Sequence, residues 1–194
     1  MLQKRSLGSR WAAVVVFLAM GATLHLVSPA RASAERYVQA TVDEQGQLTI
    51  LTEDGRSIVT AKDHEQVAFS NPQVSPDGSS VGWLAEYPFC CTSYPIPLKL
   101  VIYSKDATRT FTGSGLPIWD WQFRADGKQV AFRQETVHGG AGVHYEWRDV
   151  VSDRLLAEWE PEVGIDNRPL PAANLPEWVR DLGSQAASAT ESDR

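Results

Sequence analysis

A ten-residue stretch occurs twice in this chain with its turn intact. Val74-Ser75-Pro76-Asp77-Gly78-Ser79-Ser80-Val81-Gly82-Trp83 aligns with Phe123-Arg124-Ala125-Asp126-Gly127-Lys128-Gln129-Val130-Ala131-Phe132, at an offset of 49 residues. A repeat constrains a fold strongly, because each copy is one supersecondary unit that buries its faces only against its neighbours. Here each copy reads as a strand, an Asp-Gly turn that needs positive φ, and a second strand alternating apolar and polar residues. A further hairpin follows each copy: Leu100–Phe111 turns at Lys105-Asp106-Ala107, and Trp147–Glu158 turns near Ser152-Asp153. An earlier relative, Leu48–Val59, turns at Glu53-Asp54-Gly55, and Tyr37–Asp43 adds one strand. With little helical periodicity elsewhere, the pattern predicts an all-β chain of antiparallel meanders, roughly two and a half four-stranded units.

These residues resemble the WD40-like repeat of the TolB type (PD40), whose unit carries apolar-x-Ser-Pro-Asp-Gly-x-x-apolar-Ala-Phe. Val74–Trp83 departs from it at Gly82 and Trp83, whereas Phe123–Phe132 has Arg124-Ala125 in place of Ser-Pro. The resemblance spans Tyr37–Pro161 and implies four-stranded blades around an axis, here a partial β-propeller-like fan. Complete propellers use about four or more blades. The shortfall leaves three outcomes open: a fan capped by its own tail, a homo-oligomer, or blades supplied to a partner's propeller.

The N-terminus predicts export. Lys4, Arg5 and Arg10 precede an uncharged stretch, Trp11–Val27, whose strongly apolar part, Trp11–Met20, is short for a membrane span. Ser28-Pro29 breaks it, and Ala30-Arg31-Ala32-Ser33-Ala34 offers small-x-small cleavage sites after Ala34 or Ala32. The domain plan is therefore a signal peptide, 1–34; a repeat domain, 35–161; and a Pro/Ser/Ala-rich tail, 162–194. The expected location is periplasmic or secreted, with membrane attachment arising only if the signal stays uncleaved. Beyond residue 34 the chain holds 14 basic and 24 acidic groups and no basic stripe, which excludes nucleic acid as a partner.

Recognition is expected where second and third strands of the units connect, at Glu86–Pro97 and Glu135–Val143. Both exceed ordinary hairpin loops. The candidate rim residues are Tyr87, Phe89, Cys90, Cys91, Tyr94, Trp119, Trp121, His138 and His144, facing a protein partner or a small ligand. Cys90 and Cys91 are the chain's two cysteines, adjacent and bound for an oxidising compartment, so a vicinal disulfide is expected. Such a bridge serves as a stacking plate for a ligand ring, as a loop stiffener, or in redox and interchain chemistry. Adjacent cysteines lack the spacer that zinc sites favour, so no metal is expected.

Phosphate loops, dinucleotide fingerprints and nucleophile elbows are absent from the sequence. No catalytic residue or cofactor is assigned. The leading reading is a non-enzymatic binding or interaction module. One alternative is a carbohydrate-acting enzyme near Trp119, Asp120 and Trp121; another is a structural subunit contributing blades. In the tail, 176–182 predicts a short helix with Pro176 at N1 and Trp178, Val179 and Leu182 on one side. It would serve as a cap on an exposed blade or as a docking peptide.

Overall fold

The computed structural model describes residues 35–105, 107–139, 142–164 and 174–182. The expected signal peptide and the tail segments 165–173 and 183–194 lie outside the described residues, as do Asp106, Gly140 and Ala141.

Strands dominate, in three antiparallel sheets. The first is β1 (Tyr37–Val42), β2 (Leu48–Thr52) and β3 (Ser57–Thr60). The second is β4 (Ala68–Val74), β5 (Ser80–Tyr87), β6 (Ile96–Ser104) and β7 (Ala107–Phe111). The third is β8 (Ile118–Arg124), β9 (Gln129–Gln134), β10 (His144–Asp149) and β11 (Leu155–Trp159). Within each sheet every strand pairs with its neighbour in sequence, and none of the sheets closes into a barrel. The five hairpins and the additional N-terminal strand read from the sequence all form. A single turn and a half of helix, α1 (177–182), stands where the tail predicted one.

The 49-residue offset persists into strand pairing. Val74 faces Val81 across β4–β5, and Phe123 faces Val130 across β8–β9. The two turns differ in detail. In the first, Ser75 Oγ donates to Asp77 Oδ1 (2.7 Å), the same oxygen accepts from Ser79 N (3.0 Å), and Gly78 supplies positive φ. In the second, Ala125, Asp126 and Gly127 all have positive φ, a conformation that proline at position 125 would forbid. A Cβ on Gly127 would lie 2.6 Å from that of Ser75, so the second turn rests directly on the first.

Packing runs sheet on sheet. β5 is buried on both faces, which explains its continuous apolar run, Val81 to Ala85. Val81 and Trp83 join Tyr37, Leu48 and Ile50 of the first sheet in one core cluster. On the opposite face, Leu84 joins Trp121, Val130 and Phe132 of the third sheet in another. Gly82 has no side chain because Trp121 needs the space: a Cβ there would lie 2.3 Å from Trp121 Cη2. The outer face of the third sheet, at Ala131, is covered by Trp178, Val179 and Leu182 of α1.

Candidate functional site

One end of the second and third sheets carries a pocket of about 550 Å³. Its walls come from three connections and one strand. The β5–β6 connection gives Phe89 and Cys91, and the start of β6 gives Ile96 and Leu98. The β7–β8 connection gives Gly115, Leu116 and Pro117. The β9–β10 connection gives Thr136, Val137 and His138. These segments meet because antiparallel meanders return every second connection to the same end of a sheet. The lining is mainly apolar, with Thr136 and His138 as hydrogen-bonding groups and Cys91 as a soft one.

Buried polar groups brace the β7–β8 wall. Gln134 is fully buried. Its Oε1 accepts from Ser114 N (2.9 Å) and Ser114 Oγ (3.2 Å), while its Nε2 donates to Glu146 Oε1 (3.0 Å). Glu146, also buried, pairs with Arg148 through its other oxygen, so its charge is compensated. Gly113 allows the loop to close over Gln134, since a Cβ there would meet the amide oxygen at 2.3 Å. Glu135 N donates to Pro117 O (3.1 Å), tying two of the walls together.

The rim candidates fall into two groups. Phe89, Cys91 and His138 line the pocket together, and Cys90 and Tyr94 lie exposed on the same β5–β6 loop as Phe89 and Cys91. The sulfur atoms of Cys90 and Cys91 are 3.0 Å apart and unbonded. Tyr87 is buried nearby but engaged elsewhere. Its hydroxyl donates to Asp63 Oδ2 (2.5 Å), and Lys99 Nζ lies 4.5 Å from its ring centroid. Burial and the Asp63 bond push that hydroxyl up. Burial alone would raise Asp63 too, but hydrogen bonds from Lys99 and Tyr87 hold its carboxyl below the usual carboxylate range.

The remaining candidates do not line the pocket. Trp121 is 2% exposed in the core between the second and third sheets, donating Nε1 to Asn71 O (3.1 Å). Trp119 is half-buried and donates to Glu135 O (3.1 Å), at the base of the β9–β10 connection. A register shift between Ile118 and Asp120 puts Trp119 out of step with Trp121, so the two rings do not share a face, and bulges leave no clear trace in composition. His144 is buried, its ring nitrogens 2.8 Å from Glu160 Oε1 and 3.3 Å from Glu146 Oε1. Asp120 is paired with Arg133 (2.7 Å), which also bonds Glu135.

Sequence reasoning missed Leu98, Leu116, Pro117 and the bracing Gln134. The run Gly113-Ser114-Gly115-Leu116-Pro117 was the available signal, since two apolar residues inside a turn rarely stand alone in water. Among the described residues no cluster of three or more His, Cys, Asp or Glu is placed to hold a metal ion. No protein-family model matches the chain, and no curated protein matches it either.

Proposed function

We propose that the protein is an exported, non-enzymatic binding module of WD40-like blades, and that the rim pocket takes a small, largely apolar ligand carrying a ring. The convergence of three connections on one apolar cavity carries this reading. Its volume of about 550 Å³ falls among small-molecule sites, which combine apolar walls with a few orienting polar groups. Phe89, Leu116 and Val137 would shield a ring from water, each Å² of apolar burial contributing roughly 25 cal/mol. Thr136 and His138 would orient a single polar substituent.

The repeat supports the blade assignment: two four-stranded meanders each begin with a hairpin, β4–β5 and β8–β9, that shares one 49-residue offset in sequence, turn position and pairing register. The carbohydrate-acting alternative is weakened because Trp121 belongs to the core and the Asp120 carboxylate is engaged by Arg133. Donation of blades through the third sheet is weakened because α1 covers that sheet's outer face.

Titration with the ring dye 8-anilinonaphthalene-1-sulfonate tests the pocket. Saturable binding at one site is expected, weakened about tenfold or more by Leu116→Asp or Val137→Asp, with unchanged circular dichroism. Folded variants that bind the dye as the wild type does would remove the pocket from this role.

A further inference from the structure

We propose that Cys90 and Cys91 are a redox-modification site at the rim pocket, whose wall Cys91 lines, and that their bridged form is the one that binds ligand. The proposal rests on the pocket reading above and adds its regulation. Both residues are exposed, and no third cysteine exists in the chain to compete for either. Their sulfurs stand 3.0 Å apart. A disulfide of about 2.05 Å therefore needs them to close by roughly 1 Å. The strand ladder pins the loop on both sides, with Tyr87 paired to Ile96, and Thr92 N donates to Phe89 O (3.3 Å) across the cysteines. Closure therefore stays local. Its effect reaches the pocket because Cys91 lines that wall beside Phe89.

The oxidant is an external low-molecular-weight disulfide. Cys90 is exposed and stands outside the pocket lining, so the exchange begins there. As a thiolate, Cys90 Sγ attacks one sulfur of the external disulfide. The external S–S bond breaks, and the departing thiolate takes up the proton that Cys90 lost. Cys91 Sγ, deprotonated in turn, attacks Cys90 Sγ in the mixed disulfide and expels the second external thiolate, which takes the Cys91 proton. Two protein thiols and one external disulfide thus become one protein disulfide and two external thiols. Two electrons pass to the oxidant.

Bridging alters the wall in two ways. It removes the Cys91 S–H donor from a mainly apolar wall, and it fixes side chains that otherwise rotate, so ligand binding no longer has to order them. Adjacent Cα atoms lie about 3.8 Å apart across a trans peptide, short of the usual disulfide span of about 4.4–6.8 Å. The ring is therefore strained and opens readily to thiols, which makes the modification reversible.

The test treats the purified protein with oxidised glutathione, quenches with acid, alkylates, and weighs the intact chain. The expected product is a monomer two hydrogens lighter, resistant to alkylation and free of a glutathione adduct, reverting with mild reductant. The oxidised form is expected to bind 8-anilinonaphthalene-1-sulfonate about fivefold or more tightly than the reduced form. Cys90→Ser/Cys91→Ser should stay at the weaker affinity with or without oxidant. Thiols that remain alkylatable, a persistent glutathione adduct, or a cross-linked dimer would overturn the modification site. Equal dye affinity in the two redox forms, with Leu116→Asp still lowering it, would overturn the redox control and leave the pocket standing. Dye binding indifferent to Leu116→Asp would remove the pocket and this proposal together.

Discussion

Gly82 and Ala131 hold the same place in the repeat, 49 residues apart, yet each is covered by something different. Over Gly82 lies Trp121, a ring carried by β8 of the next sheet and 2% exposed. Over Ala131 lies the six-residue helix α1, whose Trp178 is 9% exposed and touches the rings of Tyr145 and Trp147. In the first case a sheet covers a sheet, and the fit is tight enough to exclude even a methyl group. In the second a helix with one apolar side occupies the space a further sheet would fill. Repeat arrays need such a terminal cap, because an uncovered inner face exposes a continuous apolar surface. The contrast teaches that one sheet face accepts either a strand-borne or a helix-borne aromatic, and that the residue beneath it registers how rigid the cover is.

Truncating the two rings gives the largest contrast. Trp121→Ala should cost about 3–5 kcal/mol, since a fully buried ring leaves a cavity between two sheets that cannot collapse around it. Trp178→Ala should cost less, about 1–3 kcal/mol, because a short helix can settle inward. Equilibrium urea unfolding followed by circular dichroism measures both. Equal losses would mean that the cap is as integral to the fold as a sheet.

The hairpins of this fold were legible because their causes are local. Asp54-Gly55, Asp77-Gly78 and Asp126-Gly127 place positive φ at the glycine of each turn, and the flanking residues alternate. Helix α1 was legible for the same reason, with Pro176 at its start and Trp178, Val179 and Leu182 sharing a side. The pocket was legible only in part. Phe89, Cys91 and His138 sit on long connections, which invite suspicion, and topology alone returns both connections to one end. Leu116 and Pro117 enter through a third connection whose closure depends on Gln134, a polar residue whose burial follows from contacts at 20 residues' separation. An aromatic pair around an acid, Trp119 and Trp121 about Asp120, suggests a binding surface, but it reads equally as one ring packed inward and one outward, and Trp121 is the inward one. Regular pairing with Phe132 points it into the core, where Asn71 accepts its N–H, while the register shift between Ile118 and Asp120 takes Trp119 off that face.

Gly82→Ala probes the same contact by adding volume beneath Trp121. The new methyl would meet Trp121 Cη2 at 2.3 Å and Ile102 Cδ1 at 2.6 Å, so either ring or sheet must shift. Overpacking of this kind costs about 1–3 kcal/mol. The natural Ala131 already carries that methyl beneath α1 without penalty to the chain, which is what an adjustable cover permits. A combined Gly82→Ala/Trp121→Phe variant should recover part of the loss by vacating the space beneath the larger ring. If the double variant is no more stable than Gly82→Ala, the strain lies in the backbone and not in the contact with Trp121.

The smallest effect belongs to the ion pair at the cap. Arg124 Nη1 donates to Asp181 Oδ2 (3.1 Å), and the same guanidinium lies 5.1 Å from the Trp147 ring centroid. Asp181 is nearly half exposed, so solvent screens the pair and Asp181→Asn should cost under about 1 kcal/mol. The loss should shrink further in about 1 M salt, where screening is short-ranged. The pair joins the cap to β8, whereas an apolar cluster joins the second and third sheets. Hydrogen exchange separates the two regions: Asp181→Asn should speed exchange at residues 177–182 while leaving β5 and β9 protected. Faster exchange in β5 as well would show that the cap and the sheets open as one unit, and that the helix does not merely cover the stack but holds it closed.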